Sequence, residues 1–303
     1  MPRVSVCICT MNRPKELERC LESIQRSTFK PYEVIVSDDS DEKRARGSKE
    51  IVLSYKGVKY RPGPRKNQPA NRNNCLKYVS PNTEFVTFID DDARMGTRFL
   101  ENALTCLEKS RSYYKTDRIV VTGTEKDLHG QKLVPQNLSF LGFYERPKGK
   151  IEKQDTICMN SVLFPSELFR MTHWDENQPW CTERDITSHF LYLGFRIVYC
   201  PDVINLHPTI NPRPKDLCEE EMSRIYLGLK RYWLYERSIL RFLLFVFYGP
   251  LNSLGGRVIR FRLKEVPIVA RSHLKAWKLF LVFRSTMLCN MRKSIDRLYG
   301  SPH

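Results

Sequence analysis

Residues 85–92 read FVTFIDDD, a short apolar run that ends in three consecutive carboxylates. Runs of this length, rich in β-branched and aromatic side chains and bounded by polar residues, are the pattern of a buried strand. The same grammar recurs upstream. Residues 4–10 (VSVCICT) form another such run, closed by Met11-Asn12-Arg13-Pro14, and Pro14 suits the first turn of a helix. Leu17, Cys20, Leu21 and Ile24 then recur at helical spacing. Residues 33–36 predict a second strand that ends in Ser37-Asp38-Asp39-Ser40-Asp41. A short helix is expected over 48–54, a short strand over 58–60, and a helix start over 72–78 after a Gly/Pro/Asn-rich loop. This alternation predicts an α/β domain with a mainly parallel sheet flanked by helices. Ligands of such sheets bind outside the carboxyl ends of the strands. Three polar clusters, at residues 10–13, 38–41 and 90–92, are expected at that one edge.

Further along, residues 119–123 predict a strand and 124–156 a loop-rich stretch over the site. Residues 158–164 read as a strand, 166–171 as a short helix, and 186–193 as a helix closed by Gly194. A strand over 195–200 leads towards His207. The chain therefore divides into a catalytic unit at 1–207, with a ligand-binding part at 1–123 and a second part at 124–207. The tail at 208–303 differs in character. It carries 18 Lys and Arg against 7 Asp and Glu, most of the chain's net charge of +16. Residues 239–254 are its most apolar stretch, interrupted by Arg241 and Gly249-Pro250. That leaves fewer than the ~20 residues needed to span a bilayer, so the tail predicts interfacial helices and a peripheral membrane contact through 222–284. A helical subdomain with a solvated basic face is the alternative. The ten scattered cysteines contain no CxxC pair, which argues against a zinc site or a disulfide framework. With an N-terminus that enters a strand pattern at once, they point to a cytoplasmic protein, peripheral at the inner face of the membrane.

Three adjacent carboxylates repel one another unless a cation or donors neutralise them. Their hard oxygens suit Mg²⁺ or Mn²⁺. In an extended segment Asp90 and Asp92 share one side and Asp91 takes the other, although an acidic turn capping the next helix is the simpler reading. Asp38 and Asp39 suit acceptance from a nucleobase or ribose, or an Asx turn. Arg72, placed at a helix start, suits a diphosphate. Glu183 and Asp185 lie near Trp180, where a desolvated carboxylate suits a general base; Asp185 also suits a helix cap. His207 suits a metal ligand or a buried partner.

Together these segments resemble the glycosyltransferase family 2 enzymes of GT-A fold, from residue 4 to residue 207. VSVCICTMNRP resembles the family's opening strand and turn, VIVSDDSD its second strand, ANRNNCL its Arg-Asn helix segment with Cys75 in place of Gly, and FIDDD its DxD element. WCTERDITSHFLYLGFRIVYCPDVINLHP resembles the acidic catalytic segment through to the terminal His. The resemblance implies a GT-A-type Rossmann-like sheet with a basic, apolar helical C-terminal extension. It implies an inverting transfer from a nucleotide-diphosphate sugar, UDP- or dTDP-linked with GDP as the other option, to the hydroxyl of a glycan or lipid-linked acceptor. Thr10, Asn12, Arg13, Asp38, Asp39, Arg72 and Asp91 would contact the nucleotide sugar. Asp90, Asp92 and His207 would bind Mn²⁺ or Mg²⁺. The base falls on Glu183 or Asp185, with Asp185 favoured and Glu183 left to orient the acceptor. A nucleotidyltransferase would carry a Gly-rich loop that residues 4–20 lack. A nucleic-acid-binding role through the tail is disfavoured because the acidic clusters would repel phosphates, and an inactive scaffold would not need them.

Overall fold

The computed structural model describes residues 1–145, 154–208 and 216–299; parts of the 124–156 stretch and of the 208–303 tail lie outside the described residues. The N-terminal unit alternates β1 (Val4–Thr10), α1 (Pro14–Gln25), β2 (Glu33–Asp38), α2 (Glu42–Ser54), β3 (Val58–Pro62), α3 (Gln68–Lys77), β4 (Phe85–Asp90), α4 (Phe99–Tyr114) and β5 (Ile119–Lys126). Three two-residue strands follow, β6 (Lys132–Leu133), β7 (Asn137–Leu138) and β8 (Tyr144–Glu145). The unit ends with β9 (Val162–Pro165), α5 (Ser166–Met171), α6 (Thr182–Tyr192) and β10 (Arg196–Leu206). The main sheet runs β10-β5-β9-β4-β1-β2-β3, with β6 beside β5. All pairs are parallel except those made by β9 and β6.

The expected α/β architecture is present; α4 is an element the sequence pattern did not bound, the start of the 158–164 run is a 3₁₀ turn and strand begins only at Val162, and the other differences in the sheet unit lie at element ends. α2 starts six residues earlier than its apolar residues suggest because Asp41 caps it, accepting from the Arg44 N–H. α3 begins at Gln68 behind the cap Asn67, so Arg72 sits in its second turn instead of at its start. β1 pairs on both sides in step, Thr10 beside Asp38 and Cys9 beside Asp90. The three strand ends therefore lie level. Apolar side chains pack on both faces of the sheet, Val6, Leu21 and Phe99 on one and Phe88, Phe164 and Phe190 on the other.

Two features at the far edge escape sequence pattern. β5 and β10 run in register to Thr122/Tyr199 and resume at Thr124/Ile204, so β10 bulges outward before His207. Gly123 faces the Val203 carbonyl there so closely that a Cβ would overlap it. At the same place Cys200 is joined to Cys106 of α4 in a disulfide, Cα atoms 6.6 Å apart. Spacing could not report a pair 94 residues apart, and the cysteine usage accordingly gives no argument for a reducing compartment.

The C-terminal helices are α7 (Leu217–Lys230), extended by a π-helical turn at Arg231–Tyr235, then α8 (Ile239–Pro250), a second π turn at Leu251–Gly255, α9 (Gly256–Ile259) and the long α10 (Val266–Tyr299). Gly249-Pro250 does not interrupt the apolar stretch. The wide π turn accommodates the missing proline N–H, and one helical run of 21 residues, Ile239–Ile259, is by length and composition long and apolar enough to cross a membrane. One face of it is committed to protein, with Phe242 and Phe245 buried against Tyr226, Tyr232 and Phe280. Gly228 of α7 lies flat under the Phe245 ring, which is also held by Phe140 and Tyr232. Gly228→Ala drives a methyl into that ring and is expected to cost about 1–3 kcal/mol. A urea titration checks it; an unchanged midpoint would mean that α8 is not held at this contact.

Candidate active site at the carboxyl edge of the sheet

The level strand ends gather the acidic residues, and their neutralising partners come from other elements. Thr10 Oγ1 donates to Asp91 Oδ2 at 2.7 Å. Asn12, in the left-handed region that asparagine tolerates (φ 60°), donates its backbone N–H to Ser40 Oγ at 2.7 Å. Arg13 Nη1 reaches Asp92 at 2.8 Å and Asp91 at 3.4 Å. Asp38 is buried, accepting from Ser40 and from Tyr60 Oη at 3.2 Å. Asp39 is more open and accepts from the Arg65 N–H at 2.8 Å; burial and the adjacent Asp38 raise its pKa. A Cβ at Gly63 would strike the Asp39 carboxylate, so this close approach needs glycine.

The triplet is divided three ways. β4 ends at Asp90, and Asp91 and Asp92 lie in the turn beyond it, so simple strand alternation does not set their directions. Asp91 is buried, and burial lifts it to about 6 despite the Thr10 hydrogen bond and Arg13. Burial also works on Asp92, but His207 and Arg13 outweigh it and bring it down to about 2. Asp90 is held by Arg72 Nη2 at 3.5 Å, by Gln68, and by Asn160, whose Oδ1 accepts from the Asp90 N–H at 2.7 Å.

His207 follows the β10 bulge. Its Nδ1 is 2.8 Å from Glu125 Oε2 and its Nε2 3.5 Å from Asp92 Oδ1. Burial opposes its charge, but these two carboxylates carry it up to about 10. Glu125 and Asn160 were not anticipated from sequence. Glu125 was open to discovery, since it too lies near a strand's carboxyl end; Asn160 sits in a 3₁₀ turn, Met159–Ser161, with no local signal. Glu125 orients the imidazole as an outer partner orients a metal-binding histidine. Among the described residues no three His, Cys, Asp or Glu side chains form an ion cage by themselves. Asp92, His207 and the nearby Asp90 suit a hard divalent ion whose remaining ligands are phosphate oxygens and water.

The two candidate bases part company in space. Asp185 is 4% exposed and lies against Lys230 Nζ at 2.7 Å, with Tyr235 Oη at 3.2 Å. Lys230 also holds Asp175 at 2.7 Å, and the two carboxylates keep it charged although burial works against that. Asp185, held in this triad and nearly enclosed, suits the packing of α6 against the C-terminal helices, whereas the sequence preference places the base there. Glu183, in the first turn of α6, remains partly exposed and accepts from Tyr144 Oη. Burial and Glu183 itself keep the Tyr144 phenol protonated, and the Arg184 guanidinium lies 3.8 Å over its ring. Arg72 joins this region to the acidic triplet: its Nη1 donates to Thr182 Oγ1 at 3.1 Å while its other nitrogen faces Asp90. Arg72 is buried and lies 4.9 Å over Trp174, so it acts as a brace between α3, α6 and β4.

Comparison with known proteins gives three kinds of likeness. Residues 5–169 match the family model described as glycosyl transferase family 2. A Campylobacter jejuni protein described as GalNAc(5)-diNAcBac-PP-undecaprenol beta-1,3-glucosyltransferase is 36% identical over 122 residues; the match takes in 38% of this chain and 36% of that relative's length. Among solved structures, S. aureus TarS 1-349 in complex with UDP-GlcNAc superposes with a TM-score of 0.63 at 18% identity, covering 96% of this chain and 90% of that one. The mannosyltransferase PcManGT from Pyrobaculum calidifontis, in complex with GDP-Man and Mn²⁺, gives 0.55 at 14% identity, covering 99% and 88%.

Removing the cation of the buried triad strands two carboxylates, so Lys230→Met is expected to cost about 3–5 kcal/mol. Glu183→Gln should stay within about 0.5 kcal/mol of the parent in the same urea experiment; equal losses would erase the distinction between the two acids. For the chelated protein, His207 contributes stability that is complete below its ordinary value of 6.5 and lost as pH rises through about 10. The stability gap between parent and His207→Gln should therefore shrink across that window.

Proposed function

Since this chain belongs to glycosyl transferase family 2, we propose that it moves a sugar, with inversion, from a nucleotide-diphosphate sugar to an acceptor hydroxyl. The observation that carries this reading is one edge holding Thr10, Asp38, Asp39 and the Asp90–Asp92 triplet, with Glu183 brought alongside through Arg72 and Thr182. Asp39, the more open of the pair, accepts from the base or ribose with buried Asp38 positioned behind it, and the segment from Thr10 to Arg13 lines the same pocket. UDP or dTDP is the favoured nucleotide. Asp92 and His207, with Asp90 beside them, hold Mg²⁺ or Mn²⁺, which when bound neutralises charge on the departing diphosphate. The Mn²⁺ present with the Pyrobaculum relative supports that assignment.

Glu183 is the base in this reading. Its Oε atoms take the proton from the acceptor hydroxyl as that oxygen bonds to the anomeric carbon. The bond from that carbon to the diphosphate oxygen breaks, and its electron pair leaves with the diphosphate. Tyr144 steadies the carboxylate by donating to one oxygen, leaving the other free for the proton. Buried Arg72 keeps the α6 turn at a fixed distance from the triplet, so base and donor are presented together. The lipid-linked substrate named for the Campylobacter relative makes a lipid-linked glycan the favoured acceptor here.

Glu183→Gln is expected to lower the transfer rate by about 10²–10⁴ with donor binding unchanged; full activity in that variant would remove Glu183 from the reaction. A thermal-shift panel of UDP-, dTDP- and GDP-sugars, each with and without Mn²⁺, tests donor and metal together. Stabilisation by one nucleotide that requires metal and disappears in Asp92→Ala is the expected pattern. Equal stabilisation of parent and variant would refute the metal assignment.

A further inference from the structure

α8 is apolar on two opposite sides, with Arg241 on the flank between them, and only one of the two is packed. Phe242, Phe245 and Gly249 face α7, while Leu240, Leu243, Leu244, Phe247 and Leu251 are each more than half exposed. Those five recur at helical spacing and make one continuous stripe opposite the packed face. The stripe continues past α9 into Arg260-Phe261-Arg262-Leu263-Lys264, where apolar and basic residues alternate. Phe261 is 89% exposed and holds a left-handed backbone (φ 54°), a conformation that a bulky side chain avoids unless its surroundings impose it. From residue 237 to residue 284 the chain has ten Lys and Arg and a single acid, Glu265.

We propose that the surface formed by α8, α9 and the start of α10 docks the protein on an anionic lipid bilayer, lying in the headgroup layer without crossing it. An exposed apolar stripe edged by cations of one sign matches such a membrane, which offers acyl chains beneath negative phosphates. A second copy of this chain matches it poorly, because association through this face would bring the exposed Arg260, Arg262 and Lys264 of one copy toward the same cations of the other. A nucleic acid would use the cations and leave the five large apolar side chains in water. Crossing is disfavoured by the packing, since Phe245 lies over Gly228 and ties α8 to α7 in the middle of its length. The docked face adjoins the site through the β7–β8 hairpin: Phe140 stacks on Tyr232 and touches Phe245, and Tyr144 reaches Glu183. Docking itself requires nothing of the transfer chemistry.

The test is co-sedimentation of the full chain with vesicles of phosphatidylcholine alone, or of phosphatidylcholine and phosphatidylglycerol at roughly 3:1. Binding is expected to the anionic vesicles, to weaken as salt rises, and to be reversed by high salt. The double variant Leu243→Glu/Phe247→Glu should bind on the order of a hundredfold less, and Arg260→Glu/Arg262→Glu about fivefold less for each charge removed. Both substitute exposed positions, and thermal melts matching the parent confirm that the fold is kept. The proposal is overturned by no binding to either vesicle, or by undiminished binding of a folded Leu243→Glu/Phe247→Glu variant. It is equally overturned by binding that resists high salt and alkaline extraction, or by a dimer in light scattering that this variant abolishes while vesicles remain unbound.

Discussion

Everything at the site follows from the in-step pairing of β1 with both of its neighbours. Parallel strands cannot slide by one residue without turning every side chain to the other face, and both faces of this sheet are packed. The register that buries Val6, Ile8 and Ile35 therefore also fixes Thr10 beside Asp38 and Cys9 beside Asp90, so the strand ends agree to within one residue. The cost of that arrangement is a concentration of negative charge. It is offset from three directions, by Arg13 just beyond β1, by Arg72 from α3 and by His207 from beyond β10. Like charges at one edge and cations arriving from separate elements form a polyvalent acidic cluster with its own internal counterions.

A second constraint works at a distance from the edge. Lys230 stands at the end of α7 with Asp185 of α6 on one side and Asp175 on the other. Burying three charges favours this packing only if all three are present. The C-terminal helices are thus tied to the helix that carries Glu183. The hairpin from β7 to β8 makes a second tie, with Arg184 donating to the Gly142 carbonyl at 2.9 Å and Arg224 to that of Leu141 at 2.8 Å. The tail is accordingly part of the frame around the site, and its loss would disturb more than location.

Much of this was legible in the sequence, and the reasons for the gaps are physical. Strand cores and the edge clusters were readable because burial on two faces forces continuous apolar runs, and polar residues must wait for the strand end. Helix starts were not, because Asp41 and Asn67 act through cap hydrogen bonds that leave no apolar periodicity. The Glu183–Asp185 choice was not legible because two acids two positions apart look alike in sequence, and only the long-range arrival of Lys230 separates their surroundings. Asn160, the Cys106–Cys200 bond and the continuity of α8 through Pro250 likewise depend on partners or backbone adjustments that no local window contains.

The bulge in β10 has a consequence for how this fold tolerates change. Five steps of β10, from Tyr199 to Ile204, run beside two steps of β5, and His207 comes directly afterwards. The strand thus carries slack immediately upstream of its functional imidazole, pinned at one end by Cys200 and pressed at the other against Gly123. Insertions or deletions there would leave both stretches of paired strand intact. The resumed pairing of Ile204 with Thr124 and Leu206 with Lys126 sets the face on which His207 emerges, so such a change would leave the imidazole turned toward the acids. The segment from 200 to 203 is therefore a length buffer, which absorbs insertions and deletions upstream of the histidine without changing the face it presents.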